Sequence, residues 1–273
     1  MFRRLGSLLV LVVALAFVSS ASGAYPGPLA VQGGTGLASL DGSLHFVAAQ
    51  AGGSGTRIDA VATDGGAIVM SRTVAGSFGT VALTPNGEVG GLFHDGSAFV
   101  LQNVGIYGTS SFLIVGADDL ATRDTITLKG VFGFDALSPD GSRLYLIQHT
   151  STQDIQHYIV RAYNLNAHKL LAGRVADKTQ RNWVMQGWAV DRATTPEGRW
   201  AYTLYANPGG FPFIHALDTV RGVAHCIGLP WRATDQNPVY SFHLALKGTS
   251  IVVQWQDGRT WRRVDTATWH ISK

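Results

Sequence analysis

Past residue 24 the chain alternates short apolar runs with polar, glycine-bearing turns, and no stretch keeps a long, clean 3.6-residue period. That pattern predicts strands rather than amphipathic helices. Runs rich in aromatic and β-branched residues, which pleated sheets favour, stand at 44–49, 89–93, 144–148, 200–205 and 251–255. Each follows a turn signal: Leu40-Asp41-Gly42-Ser43, Thr84-Pro85-Asn86-Gly87, Ser138-Pro139-Asp140-Gly141, Thr195-Pro196-Glu197-Gly198 and Leu246-Lys247-Gly248-Thr249. In such turns Pro presets φ, Asp or Asn bonds the local backbone, and Gly accepts positive φ. The turn glycines are 45 to 57 residues apart.

A second landmark trails each turn, a polar residue closing another apolar run: Asp64, Asp118, Asn164, Asp218 and Asp265. A side-chain oxygen there caps a β-turn between two further strands. Five repeats of that role fit the pattern better than five catalytic acids. Four strands in roughly 50 residues is the layout of a propeller blade. The expected fold is therefore all-β, a β-propeller of about five four-stranded blades, with six or seven also compatible with eroded repeats. After the last turn the chain has room for two strands, at 250–256 and 260–269. The segment Leu29–Gln32 is expected to supply the missing outer strand and close the ring, because an open sheet edge invites aggregation.

The phrase Ser138-Pro139-Asp140-Gly141-x-x-Leu144-Tyr145 and the Asp-Thr pairs at Asp218-Thr219 and Asp265-Thr266 resemble the YVTN-type β-propeller repeats, relatives of the WD40-like propellers. The resemblance covers most of residues 28–273 as a repeat grammar. The tetrapeptide Tyr-Val-Thr-Asn itself is absent, and the spacing is looser than in that family. YVTN-type propellers often have seven blades, where five turns are counted here.

Residues 1–24 read as an address. Arg3 and Arg4 precede an apolar run from Leu8 to Val18, and small residues lead to Ala24. These are the parts of a secretory signal peptide, and the run is too short for a bilayer span of about 20 residues. The expected organisation is a signal peptide over 1–24, with an uncleaved anchor as the alternative, and a single propeller domain over 25–273. Secretion or the cell envelope is the expected location, with no membrane span in the mature chain.

Composition narrows the function. Charged residues make up 14% of the chain, against roughly 25% in typical domains, which disfavours both disorder and coiled coils. Removing Arg3 and Arg4 would leave the two signs nearly balanced, and no basic run exceeds two residues. Nucleic-acid binding wants a clustered basic footprint and is not expected. Cys226 is the only cysteine, so no intrachain disulfide forms. A monomer is expected.

Blade topology sorts the loops, and loops held by a rigid scaffold carry function. With the glycine turns on one face, the far ends of the second strands share the other. Gln50, His94, Asp95, His149, Asn207 and Asp257 are placed there. Two rich loops join them, bringing Asp177, Arg181, Trp183, Gln186 and Trp188, and Trp231 with Arg232. Asp154 sits in a further loop. Flat rings stack on apolar ligand faces while amides bond hydroxyls or backbone. The surface therefore suits a peptide, a partner protein or a glycan, bound without catalysis. The alternative is a hydrolase or lyase using Asp and His at the funnel, with or without a divalent ion; His94, Asp95, His149 and Asp257 are the one set weighed for such an ion, at spacings that match no recognised ligand pattern. No nucleotide, flavin or zinc-protease motif occurs, and no cofactor is expected.

Overall fold

The structure is a computed structural model. It describes residues 30–31, 36–81, 91–103, 108–151, 156–179, 184–207, 210–231 and 238–273. The proposed signal peptide and the Pro85-Asn86-Gly87 turn lie outside the described residues, as do Asp154, Arg181, Trp183 and Arg232. No helix among the described residues is long and apolar enough to cross a membrane.

The architecture is all-β, in five antiparallel sheets. A two-residue strand, β1 (Ala30–Val31), precedes them. The first blade is β2 (Leu37–Ala38), β3 (Leu44–Gln50), β4 (Gly55–Ala62) and β5 (Ile68–Ala75). The second is β6 (Phe78–Val81), β7 (Ala98–Asn103), β8 (Thr109–Gly116) and β9 (Thr122–Lys129). The third is β10 (Phe132–Leu137), β11 (Arg143–His149), β12 (His157–Asn164) and β13 (Lys169–Leu170), with β14 (Met185–Gln186) also pairing on β12. The fourth is β15 (Trp188–Thr194), β16 (Trp200–Ala206), β17 (Phe213–Asp218) and β18 (Val223–Gly228). The fifth is β19 (Phe242–Lys247), β20 (Ser250–Trp255), β21 (Thr260–Asp265) and β22 (Ile271–Ser272).

Burial follows position in the blade. The second strands β7, β11 and β16 are buried almost continuously, because a neighbouring blade covers each face. The outer strands β5 and β9 are largely exposed. Apolar clusters fill the four seams between successive blades. At the first seam Phe46 of β3 stacks on Phe99 of β7, with centroids 4.5 Å apart. Among the described residues no such cluster joins the fifth blade to the first.

One hydrogen bond recurs in all five blades and fixes the repeat. The residues next to the landmark positions, Thr63 and Ala117 just before Asp64 and Asp118, and Leu165, Thr219 and Thr266 just after Asn164, Asp218 and Asp265, donate their N–H to the carbonyls of Ser43, Ser97, Ser142, Arg199 and Thr249, at 2.8–2.9 Å. Those acceptors each follow a turn glycine, so the five inner turns are at Gly42, Gly96, Gly141, Gly198 and Gly248. In the second blade the turn is therefore Phe93–Ser97 and not Pro85–Gly87. Leu92, expected within a second strand, instead pairs with Phe99 from the first-strand side.

The landmark residues cap turns as expected at Asn164, Asp218 and Asp265, which accept backbone N–H groups at 2.8–3.1 Å. Asp118 instead pairs with Arg123, and its neighbour Asp119 accepts the N–H of Ala121. The turn holding Asp64 closes through the backbone of Ala62, Gly66 and Ala67.

The expected closure by Leu29–Gln32 is corrected. The fifth blade supplies its own outer strand, β22, and β1 pairs with β6 of the second blade.

Three inner turns share a serine-aspartate arrangement. Asp41, Asp95 and Asp140 each accept the N–H and the hydroxyl of Ser43, Ser97 and Ser142. The Asp41 carboxyl is held down at about 2, first by the Ser39 hydroxyl and then by Ser43. Asp95 and Asp140 are also lowered, chiefly by the hydroxyls of Ser97 and Ser138. A folded value below the unfolded one gives stability that is complete above an unfolded pKa of about 4 and is lost as pH falls through the folded values. Thermal unfolding from neutrality to about pH 2 is expected to show a Tm decline beginning near pH 4. The variant D41N/D95N/D140N should flatten it, and an equally steep decline in that variant would place the acid sensitivity elsewhere.

Candidate ligand cavity on the turn face

The inner turns of the first four blades converge on a cavity of about 500 Å³. The first blade contributes Ala38 to Gly42, the second Leu92 to His94, the third Asp135 to Pro139, and the fourth Arg192, Thr194 to Pro196 and Gly198. The turns meet closely. At Gly141, with φ +64°, a side chain would start 3.0 Å from the Phe93 ring, so bare backbone is needed on both counts. Gly198, with φ +71°, faces His94 and Pro139, which a side chain there would meet at ordinary contact distances of 3.4 and 3.5 Å. The mouth is mostly apolar, with Leu40 67% exposed and Leu92, Phe93, Pro139 and Pro196 around it.

Beneath the mouth lies a buried, charged layer. The ladder of β10 on β11 shifts register at Asp135, and that of β15 on β16 shifts just before Asp191. These irregularities re-aim side chains that regular pleating would send elsewhere. Arg192 Nη2 donates to Asp135 Oδ1 at 2.9 Å, with the two side chains 2% and 1% exposed. Arg192 Nε donates to Thr203 Oγ1 at 3.1 Å, and the guanidinium lies 5.7 Å from the centre of the Phe134 ring. Asp135 Oδ2 and Arg192 Nη1 have no hydrogen-bond partner among the described residues.

At the next seam Asp191 Oδ2 accepts the Leu244 N–H at 2.7 Å, with His243 Nδ1 3.5 Å away. Burial raises the Asp191 carboxyl. His215, fully buried near Asp135 and Arg192, has its imidazole pKa lowered by burial. Burying a charge pair costs desolvation that its attraction only partly repays, so stability alone is a poor reason for this layer.

The structure divides the residues singled out from sequence. Gln50 and His149 end β3 and β11, while Asn207 and Asp257 lie just beyond β16 and β20. All four stand away from the turns. Gln50 Nε2 donates to the Gly53 carbonyl in its own loop at 3.1 Å, and Asp257 accepts the Arg259 backbone and guanidinium. Gln186 pairs with His157 in β12, and Trp188 pairs with Ala206 beside Asn207. Asp177 is buried, accepts from Thr179 and from the Cys226 N–H, and lies 3.0 Å from His225 Nδ1. Trp231 packs edge-on against Trp261.

His94 and Asp95 are the correction. They belong to the second inner turn, on the cavity face, because Asp95 occupies the place of Asp41 and Asp140. The proposed metal set of His94, Asp95, His149 and Asp257 is thereby split between opposite faces. Among the described residues no three His, Cys, Asp or Glu side chains converge on one point. Asp135 and Arg192 went unnoticed from sequence, although a charge inside the apolar runs 132–137 and 188–193 was a visible signal.

No protein-family model matches the sequence, and no curated protein matches it. Among solved structures the chain is similar to the Dos1 propeller, at 8% identity and TM-score 0.50, covering 86% of this chain and 56% of that one. It is similar to a putative TolB from Agrobacterium tumefaciens, at 13% identity and TM-score 0.48, covering 86% and 78%. It is also similar to a chain of a nidogen/laminin complex, at 11% identity and TM-score 0.48, covering 88% and 78%. The chain thus spans about half of the Dos1 propeller. Likeness at such identity concerns the fold alone. Together with the five four-stranded sheets it establishes that the chain is a β-propeller of about five blades.

Proposed function

We propose that this propeller, built on YVTN-type repeat grammar, is a non-catalytic binding module working outside the cytoplasm. Residues 1–24 act as its signal peptide and 25–273 as one domain. The ligand, a segment of a peptide or partner protein or a glycan, enters the cavity on the turn face. The observation that carries this reading is the cavity itself, walled by four blades over the buried Asp135–Arg192 pair. Its volume falls within the range of ordinary ligand pockets, about 300–1,000 Å³. Its wall mixes apolar surface with polar and charged groups, Asp41, His94, Asp135 and Arg192 among them, which can orient a ligand.

A second reading keeps the site on the opposite face, at Gln50, His149, Gln186, Trp188, Asn207 and Asp257 with the neighbouring Asp154, Asp177, Arg181, Trp183, Trp231 and Arg232. The pairing that sets Trp188 beside Asn207 favours it. Probing peptide and glycan arrays with the purified protein separates the two. Leu40→Arg, a change at an exposed position, is expected to abolish retention, and Trp188→Ala to leave it intact. The reverse outcome moves the site to the loop face. Mass spectrometry of retained array members is expected to show them uncut; turnover would replace binding by catalysis.

A further inference from the structure

This inference rests on the turn face being the binding face. Four of the five inner turns place an acid directly before the turn glycine: Asp41, Asp95, Asp140 and Glu197. All four are exposed. Asp41 lines the cavity, Asp95 follows His94 in its wall, Asp140 follows Pro139, and Glu197 stands between Pro196 and Gly198. The fifth turn carries Lys247 and forms no part of the wall. Arg192 in the wall is paired with Asp135, and the arginines that open the next strands, Arg143 and Arg199, have partners of their own. Arg143 Nη1 donates to the Val220 carbonyl at 3.2 Å, and Arg199 pairs with Asp218 at 2.9 Å. Below the crown, the cavity wall includes Asp135, 1% exposed, with its Oδ2 lacking a partner among the described residues.

We propose that the turn face binds a basic peptide segment, one apolar side chain entering among Leu40, Leu92, Phe93 and Pro139 while flanking lysines or arginines lie over the acidic crown. Charge complementarity selects this occupant, since an exposed ring of like charge raises the local concentration of opposite charge and repels its own sign. An anionic lipid surface or a polyanion is turned away by the same ring. The serine hydrogen bonds that hold Asp41, Asp95 and Asp140 low extend the charge of these three acids further below neutrality than free carboxylates keep it.

Fluorescence anisotropy of the purified protein tests this with two dye-labelled probes. One is a short peptide with a leucine core flanked by lysines, the other the same peptide with glutamates in place of the lysines. The lysine probe is expected to bind and to weaken steeply as salt shortens the screening length; the glutamate probe is expected not to bind. The variant D41N/D95N/D140N/E197Q should weaken binding roughly tenfold or more. Leu40→Arg, which leaves the turn acids in place, should weaken it as well, while Asp257→Asn on the opposite face should change nothing. Equal, salt-insensitive binding of both probes, still blocked by Leu40→Arg, would refute the charge preference and leave the turn-face reading standing. Binding of the lysine probe that survives both turn-face variants would overturn the two together, and no binding of either probe would overturn the inference.

Discussion

A chain carrying Asp135→Ala is expected to lose about 3–5 kcal/mol of unfolding free energy. The substitution leaves the Arg192 guanidinium, whose side chain is 2% exposed, inside the third–fourth blade seam without its counter-charge. Thr203 would still accept one hydrogen bond from it, but a neutral hydroxyl does not replace a carboxylate. Arg192→Met alone should cost a comparable amount, by stranding Asp135 with both oxygens unpaired. The double variant D135L/R192M removes both charges and should return most of the loss, since apolar replacements of buried pairs are often neutral or better. Denaturant titration of the four proteins reads this as a shift of midpoint at constant slope. A loss under about 1 kcal/mol for Asp135→Ala would mark the pair as solvated, like a surface ion pair.

Phe99→Ala should be about as damaging, at roughly 3–5 kcal/mol. Phe99 has no exposed surface, stacks on Phe46, and sits in a cluster with Leu37, Ile58, Leu101 and Val115. Truncation therefore removes both a large buried ring and the partner of a stacked pair, and leaves a cavity between two sheets that relax only partly. Phe99→Leu, which keeps most of the volume, should cost well under half as much. Thermal and denaturant unfolding of both variants measure this, and near-equal, small losses would mean the first two blades do not pack as described.

Much of the architecture was legible because it repeats. A turn of Pro, Asp or Asn and Gly followed by a β-branched run has one local meaning, and five copies at similar spacing leave few folds to choose from. The capping residues Asn164, Asp218 and Asp265 were legible for the same reason. The second blade was misread because Pro85-Asn86-Gly87 imitates the motif, while the turn in use, His94-Asp95-Gly96-Ser97, lacks the proline. Its Asp and Ser carry the hydrogen bonds that matter, as Asp41 with Ser43 and Asp140 with Ser142 do. That single substitution of one turn for another moved His94 and Asp95 to the wrong face. Closure was misjudged because β22 is only two residues long, too short to stand out in a pattern search. The Asp135–Arg192 pair was invisible as a pair, since 57 residues separate its members and only the meeting of two blades joins them.

Everything proposed for the turn face depends on the second inner turn standing beside the third. Spin-label distances test that most directly, with labels at Asp95→Cys and either Asp140→Cys or Thr150→Cys, which lie beyond opposite ends of β11. Cys226 is half-buried, so a Cys226→Ser background keeps the labels at the introduced positions. The 95–140 distance should be clearly the shorter, with the 95–150 distance greater by up to the roughly 20 Å that such a strand spans. A shorter 95–150 distance would put His94 and Asp95 on the loop face and remove the cavity from the account.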